Sequence, residues 1–269
     1  MKSIMPIFQR QLQQIQIEHT RFLNNPYDPE RTHDLRVSLR ILRGLFKFLK
    51  RQLPTTNFAI INQNLSQAAK LLGPLREIDV LIEKSSQYAL KYPNADISSN
   101  YYQLFKMFYQ QRQQIMEQIL SIATQTTFKK CLTTIKQQLT QLKFPAKLNW
   151  SKLLTQQLKK RQKKIIKAYQ NLDLTDYPQV HHIRKQAKTL RYSATYFAAL
   201  ISPHAAIKTQ AAAEKIQDTC GVITDAHVNY GLLLNFATKI VDPQQKFLLL
   251  KIAHEQEKIY RPPAKLNDN

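Results

Sequence analysis

Thr32-His33-Asp34-Leu35-Arg36-Val37-Ser38-Leu39-Arg40-Ile41-Leu42-Arg43 and Val180-His181-His182-Ile183-Arg184-Lys185-Gln186-Ala187-Lys188-Thr189-Leu190-Arg191 are two versions of one stretch. In each, a histidine is followed by cations at the third, seventh and tenth positions after it. An α-helix turns about 100° per residue, so those four positions fall within about 80° of one another. Apolar residues take the opposite side: Leu35, Leu39, Leu42, Leu45, Phe46 and Leu49 in the first copy, Ile183, Ala187, Leu190, Ala194 and Phe197 in the second. Each stretch therefore reads as a helix with one face for a core and one face of His, Arg, Arg or Lys, and Arg. Lys47 and Arg51 prolong the first cationic stripe. Two such helices in one chain point to a surface for a long, highly charged anion.

Composition leads to the same expectation. The 269 residues hold 40 Lys+Arg against 18 Asp+Glu, a formal net charge of +22. Self-repulsion on that scale disfavours a compact state unless a polyanion offsets it: nucleic acid, an acidic membrane surface or polyphosphate. With only 4 Gly and long runs of helical periodicity, the fold class is all-α, and Gly-rich phosphate loops are excluded. Cys131 and Cys220 fall in amphipathic helical patterns and read as small buried residues, with neither a disulfide framework nor a zinc spacing. Met1 to Arg10 lacks a signal-peptide core. No apolar run reaches the roughly 18 residues of a spanning helix, so no membrane insertion is expected and a cytoplasmic location is the default.

Punctuation along the chain divides it into helices. A first helix from Ser3 stops at Asn24-Asn25-Pro26; the first stripe helix runs from Pro29 to Leu53; a third ends at Leu72. Gly73-Pro74 reads as a C-cap glycine followed by a helix-starting proline, opening a helix from Leu75 to Lys91. Tyr92-Pro93-Asn94 is a break, followed by helices over about 96–123 and 126–142, closed by Phe144-Pro145. The plan then repeats: a Lys-rich helix over 149–171, the second stripe helix from Tyr177-Pro178 to Ser202-Pro203, a helix ending at Thr219 before Cys220-Gly221, a helix with Asp225 and His227, and a last helix from Asp242-Pro243 to Tyr260. The tail from Pro262 is expected to fray. His33 and His181 are 148 positions apart, and so are Gly73 and Gly221. This is one domain over 1–269 built from a duplicated five-helix unit, with repeat one over about 1–124, a spacer helix over about 125–143 and repeat two over about 149–261. Two copies of a unit usually pack about a pseudo-two-fold axis. The expected architecture is two pseudo-symmetric antiparallel helical bundles with both cationic stripes facing one basic central groove.

The sequence resembles the CHAD domain, the conserved histidine α-helical domain. The resemblance rests on His33, Arg36, Arg40 and Arg43 with Leu72-Gly73-Pro74-Leu75-Arg76-Glu77-Ile78-Asp79, and on His181, Arg184, Lys188 and Arg191 with Cys220-Gly221-Val222-Ile223-Thr224-Asp225. Glu77, Thr224 and Cys220 depart from the family pattern. The resemblance implies two four-helix bundles arranged pseudo-symmetrically around a basic cavity that binds inorganic polyphosphate, association with polyphosphate granules, and no established catalytic activity; no cofactor is expected.

Each candidate residue has a chemical reason. A guanidinium offers a planar fork for two phosphate oxygens, and an ammonium offers a point charge. Arg36, Arg40, Arg43, Lys47, Arg184, Lys188 and Arg191 are thus candidate polyphosphate contacts. His33 and His181 sit at the stripe edge, where an anion would favour the protonated imidazole; they lack the partners a metal site needs. For Arg76, Glu77 and Asp79 two readings stay open. The carboxylates either complement a helix dipole or hold a groove arginine while Arg76 faces the groove. Asp225 has the same two readings. The Lys159–Lys167 cluster spreads over several helix faces and reads as a solvated helix, with Lys163 and Lys167 able to edge the groove. Tyr192, beside Arg191, is the one aromatic residue flanking a stripe. Single-strand nucleic-acid binders interleave aromatics with cations, so RNA is the alternative polyanion rather than the first. Phosphoryl-transfer enzymes cluster carboxylates for divalent metal, and the stripes hold no such cluster.

Overall fold

The computed structural model describes residues 3–93, 98–144 and 148–261. The expected break at Asn94, the fifth-helix start near residue 96, Pro145 and the tail from Pro262 lie outside the described residues. Among the described residues there are ten α-helices and no strand: α1 (Met5–Asn24), α2 (Pro29–Phe48), α3 (Thr55–Leu71), α4 (Gly73–Lys91), α5 (Ser98–Leu120), α6 (Ile122–Gln141), α7 (Trp150–Gln170), α8 (Tyr177–Tyr196), α9 (Pro203–Ala237) and α10 (Pro243–Tyr260). None of the described helices is long and apolar enough to cross a membrane.

The two stripe helices begin alike. Asp28 caps α2 by accepting from the Glu30 amide at 2.9 Å, and Asp176 caps α8 by accepting from the Gln179 amide at 3.1 Å. A proline follows each cap within the first two helical positions, where its missing N–H costs nothing. The apolar face of α2 is buried to completion from Leu35 to Leu49, and Phe46 stacks on Phe8 of α1 with ring centroids 4.4 Å apart. The α8 face from Ile183 to Phe197 is buried in the same way. Phe48, at the end of α2, meets Phe197, just past the end of α8, at 5.9 Å.

The helices pack in two connected groups. α1, α2, α3 and α6 form one, while α8 lies against α7 and the long α9. α4 and α5 leave the first group to pack on α9 and α10. Phe108 of α5 against Phe236 of α9, at 5.2 Å, and the buried ion pair of Asp79 with Arg112 secure this region.

Several boundaries differ from the sequence expectation: α2 and α8 stop at Phe48 and Tyr196, short of Leu53 and Ser202, and each is followed by a 3-10 turn, Lys50–Gln52 and Ala198–Leu200. Gly73 is not a C-cap but the first residue of α4, and no glycine among the described residues takes a positive φ. The break expected at Cys220-Gly221 does not occur, because α9 runs unbroken for 35 residues. The residue after each glycine makes the difference. Pro74 cannot donate to the previous turn, whereas Val222 can, so an interior glycine costs only about 1 kcal/mol of helix propensity. Burial of Cys220 and Thr224 against neighbouring helices offsets it. α6 starts earlier than expected, at Ile122, because Ser121 caps it by accepting from the Thr124 amide at 3.4 Å.

Candidate functional site

α2 and α8 pack directly on one another, and Gly44 sets how close they come. A Cβ placed there would lie 3.3 Å from Tyr192 Cδ2, tighter than ordinary packing. Beside this contact α7 closes a cavity of about 580 Å³. α2 supplies Arg40, Arg43 and Lys47, α7 supplies Arg161 and Lys164, and α8 supplies Lys185 and Lys188. Those seven cations share the lining with Gly44, Ile165, His182, Gln186, Thr189 and Tyr192 and, among the described residues, with no carboxylate.

The electrostatic consequences are legible at each group. Burial lowers the Arg40 pKa, and the charges of Arg76 and Arg184 add to the effect. Its Nε is buried without a hydrogen-bond partner among the described residues. Lys188 stands opposite. Burial, then Arg184 and Arg40, bring its ammonium down to about 8. Burial and then Arg43 and Lys185 lower Lys47. Arg43 is lowered by burial, and its Nε donates to Asn62 Oδ1 at 2.9 Å. Arg161 is anchored: its Nη2 donates to the Phe48 carbonyl at 2.6 Å and its guanidinium lies 4.1 Å over the Phe48 ring. An unneutralised cluster of this kind favours whatever brings negative charge.

The remaining sequence candidates lie around the rim or behind it. Arg36 donates from Nη1 to the Ala69 carbonyl, and its guanidinium passes beside Gly73, where an added Cβ would meet Nη1 at 3.6 Å, an ordinary van der Waals contact. A Cβ added at Gly221 would likewise meet Arg184 Nε at 3.6 Å. Arg184 Nη2 pairs with Asp225 at 2.7 Å, and Arg191 Nη1 with Glu214 at 3.2 Å. Arg76 reaches Glu83 at 3.8 Å, and Glu77 lies close enough to favour the charged form of Arg36. Asp79 holds no groove arginine. It is buried against Arg112 Nε of α5 at 2.7 Å, and Arg112 Nη2 also donates to the Pro26 carbonyl at 3.3 Å. Thr224 turns its hydroxyl to the Cys220 carbonyl of its own helix at 2.8 Å. His33 is half-buried, with its pKa lowered by burial and then by Arg76 and Arg40. His181 is lowered by burial and then by Lys185 and Arg184; it stacks on Tyr177 at 5.7 Å. Among the described residues no group of His, Cys, Asp and Glu is arranged to hold a metal.

Residues 6–234 match the CHAD domain. The chain belongs to the CHAD domain family. Its fold is similar to the crystal structure of the CHAD domain from the plant Ricinus communis, with a TM-score of 0.72 and 20% identity over 95% of this chain and 85% of that one. It is also similar to PptA from Streptomyces chartreusis, with a TM-score of 0.66 and 11% identity over 94% of this chain and 92% of that one. At such identities the likeness concerns the fold. No curated protein matches the sequence.

In this CHAD domain the cavity coincides with the α2 stripe, through Arg40, Arg43 and Lys47, but only partly with the α8 stripe. Of the second stripe Lys188 alone lines it; Arg184 and Arg191 turn to carboxylates of α9. The cavity-facing side of α8 is rotated by about 90° toward α7, counting about 100° per residue. Arg161, Lys164, His182, Lys185 and Gln186 line it although their spacing does not mark them for the site. Their charge is visible in the sequence; the face that α7 turns to α2 is set by tertiary packing.

Proposed function

We propose that this CHAD domain binds inorganic polyphosphate in the cavity between α2, α7 and α8, as a binding module and not an enzyme. One observation carries the reading: seven cations from three helices converge on one cavity whose lining, among the described residues, holds no carboxylate. That asymmetry suits a linear anion with a charge on every unit and no base to recognise. The duplicated sequence unit supports it too. Each half places its first stripe arginine over its own glycine, Arg36 over Gly73 and Arg184 over Gly221, as expected for halves related by a pseudo-two-fold axis with a shared basic groove. The lack of a lining carboxylate also speaks against phosphoryl transfer, where acidic groups hold divalent metal or position a nucleophile. A cytoplasmic role at polyphosphate granules follows from this reading.

The test is a triple charge reversal, Arg43→Glu with Lys47→Glu and Lys185→Glu, titrated against long-chain polyphosphate at about 0.15 M salt, a physiological ionic strength. Binding is expected to be lost with helical content unchanged by circular dichroism; intact affinity in a folded variant refutes the assignment. Wild-type protein titrated against single-stranded RNA at equal phosphate concentration separates the polyanions. Tighter RNA binding would make nucleic acid the ligand. Incubating polyphosphate with the protein and Mg²⁺ and following chain length tests the absence of hydrolysis.

A further inference from the structure

We propose that a long polyphosphate chain does not end in the cavity but passes round α7 into a second groove on that helix's far side. This rests on the cavity reading above and extends it. The groove, about 580 Å³, is formed by Lys159, Lys163, Ile166 and Lys167 of α7 with Lys208 of α9.

The helical wheel of α7 links the two sites. Counting about 100° per residue, the centre of the groove side lies roughly 165° from Arg161 and Ile165, which face the cavity. Lys163, Lys167, Lys160 and Lys164 then succeed one another round a single flank, from groove to cavity. The cluster that looks scattered along the sequence is a continuous band in space. With a helix about 10 Å across, half a circumference is about 16 Å, a path a flexible chain anion can take and a compact anion cannot span.

The band is unneutralised. α7 contains no Asp or Glu. Its Lys159/Lys163, Lys163/Lys167 and Lys160/Lys164 pairs are like charges four residues apart, each destabilising by about 0.2–0.5 kcal/mol. Among the described residues none of these lysines makes an ion pair, whereas Lys91 and Lys258, also exposed, each pair with a glutamate. Ile166 gives the groove an apolar floor along which lysine stems can lie with their ammonium groups outward. Two cationic sites joined by such a band make the second contact intramolecular for one polymer, raising its affinity without raising that of a short anion.

The experiment compares wild type with Lys159→Gln/Lys163→Gln/Lys167→Gln/Lys208→Gln, using inorganic tripolyphosphate and long-chain polyphosphate as probes. In the variant, tripolyphosphate affinity is expected to stay unchanged. Long-chain affinity should fall by up to about 200-fold at about 0.15 M salt, and the slope of log K against log salt should shallow by about 3, from four lost contacts at about 0.7 each. Unchanged long-chain affinity and slope, with tripolyphosphate still bound, would overturn the path and leave the cavity reading standing. Wild type that fails to bind tripolyphosphate, with a long-chain affinity insensitive to Lys188→Gln, would overturn both. Phosphatidylserine vesicles bound by wild type and released by the variant, with long-chain affinity intact, would assign the band to a membrane surface and overturn the proposal.

Discussion

Lys188 offers a direct way to weigh the cavity's electrostatics. Its ammonium is lowered from 10.5 to about 8, by burial first and then by Arg184 and Arg40. Linkage sets the sign. Below pH 8 the lysine is charged in both the folded and unfolded chains, and the folded state bears the whole penalty. Between pH 8 and 10.5 the folded state gives up its proton first, so stability rises with pH; above 10.5 the penalty is gone. A shift of this size corresponds to at most about 3 kcal/mol, less whatever solvent screens. Lys188→Met should therefore stabilise the unliganded protein at pH 7 by up to that amount, read as a higher urea midpoint. Binding runs the other way. An anion in the cavity restores the ammonium toward its ordinary value, so complex formation takes up a proton above pH 8. The dissociation constant should then rise about tenfold from pH 7 to pH 9, with one proton linked to binding. Fluorescence anisotropy with labelled polyphosphate at constant ionic strength measures it. Lys188→Arg, which keeps its charge throughout, should bind at pH 7 and show a flat profile to pH 9. A flat wild-type profile, or the same slope in Lys188→Arg, would show that Lys188 does not face the anion.

Three other outcomes test the structure around the cavity. Asp79→Ala leaves Arg112 buried without its carboxylate and should cost about 3–5 kcal/mol in urea unfolding, with polyphosphate affinity unchanged in the protein that remains folded. Gly44→Val drives a side chain into Tyr192 and should cost about 1–3 kcal/mol; Tyr192→Ala in the same chain should restore part of it in thermal melts. His33 and His181 both have folded pKa values lowered, by burial first, so the unfolded chain takes up protons before the folded one as pH drops below 6.5. Melting temperature should accordingly fall between pH 7.5 and 5.5 in the free protein, and fall less with polyphosphate bound.

Much of this was legible in the sequence because helices report their faces. The α2 stripe lines the cavity through Arg40, Arg43 and Lys47, while Arg36, one turn earlier, turns to the Ala69 carbonyl of α3. α8 is different. It has neighbours in α2, α7 and α9, and its polar arc is divided between a cavity and the carboxylates of α9, so one stripe carries two jobs. Spacing along one helix cannot show where a second helix divides it. Asp79 illustrates the same limit within a single turn. It lies three residues from Arg76, yet burial turns it to Arg112, a residue 33 positions away whose approach depends on how α5 packs. Gly221 is a misleading stop signal because a glycine ends a helix when it takes a left-handed conformation, and Gly221 keeps a helical one inside α9.

The cations of this protein fall into two kinds, and the division suggests how a chain with a net charge of +22 keeps a cavity open. Arg184, Arg191 and Arg76 each have a carboxylate within ion-pair distance, and Arg36 a carbonyl. These groups are fixed in place, and their charge is partly offset inside the protein. Arg40, Lys47, Lys185 and Lys188 have no carboxylate partner among the described residues, and all four line the cavity. The fixed set is tied to its own or a neighbouring helix; the free set holds the unbalanced charge. Were the free set neutralised by acidic residues, the fold would gain stability and the cavity would lose its attraction for anions. On the proposed function the missing negative charge comes from outside the chain, so the free protein should be measurably less stable than the complex. The size of that difference should grow as salt is lowered, because exposed positive charges repel one another most when screening is weakest.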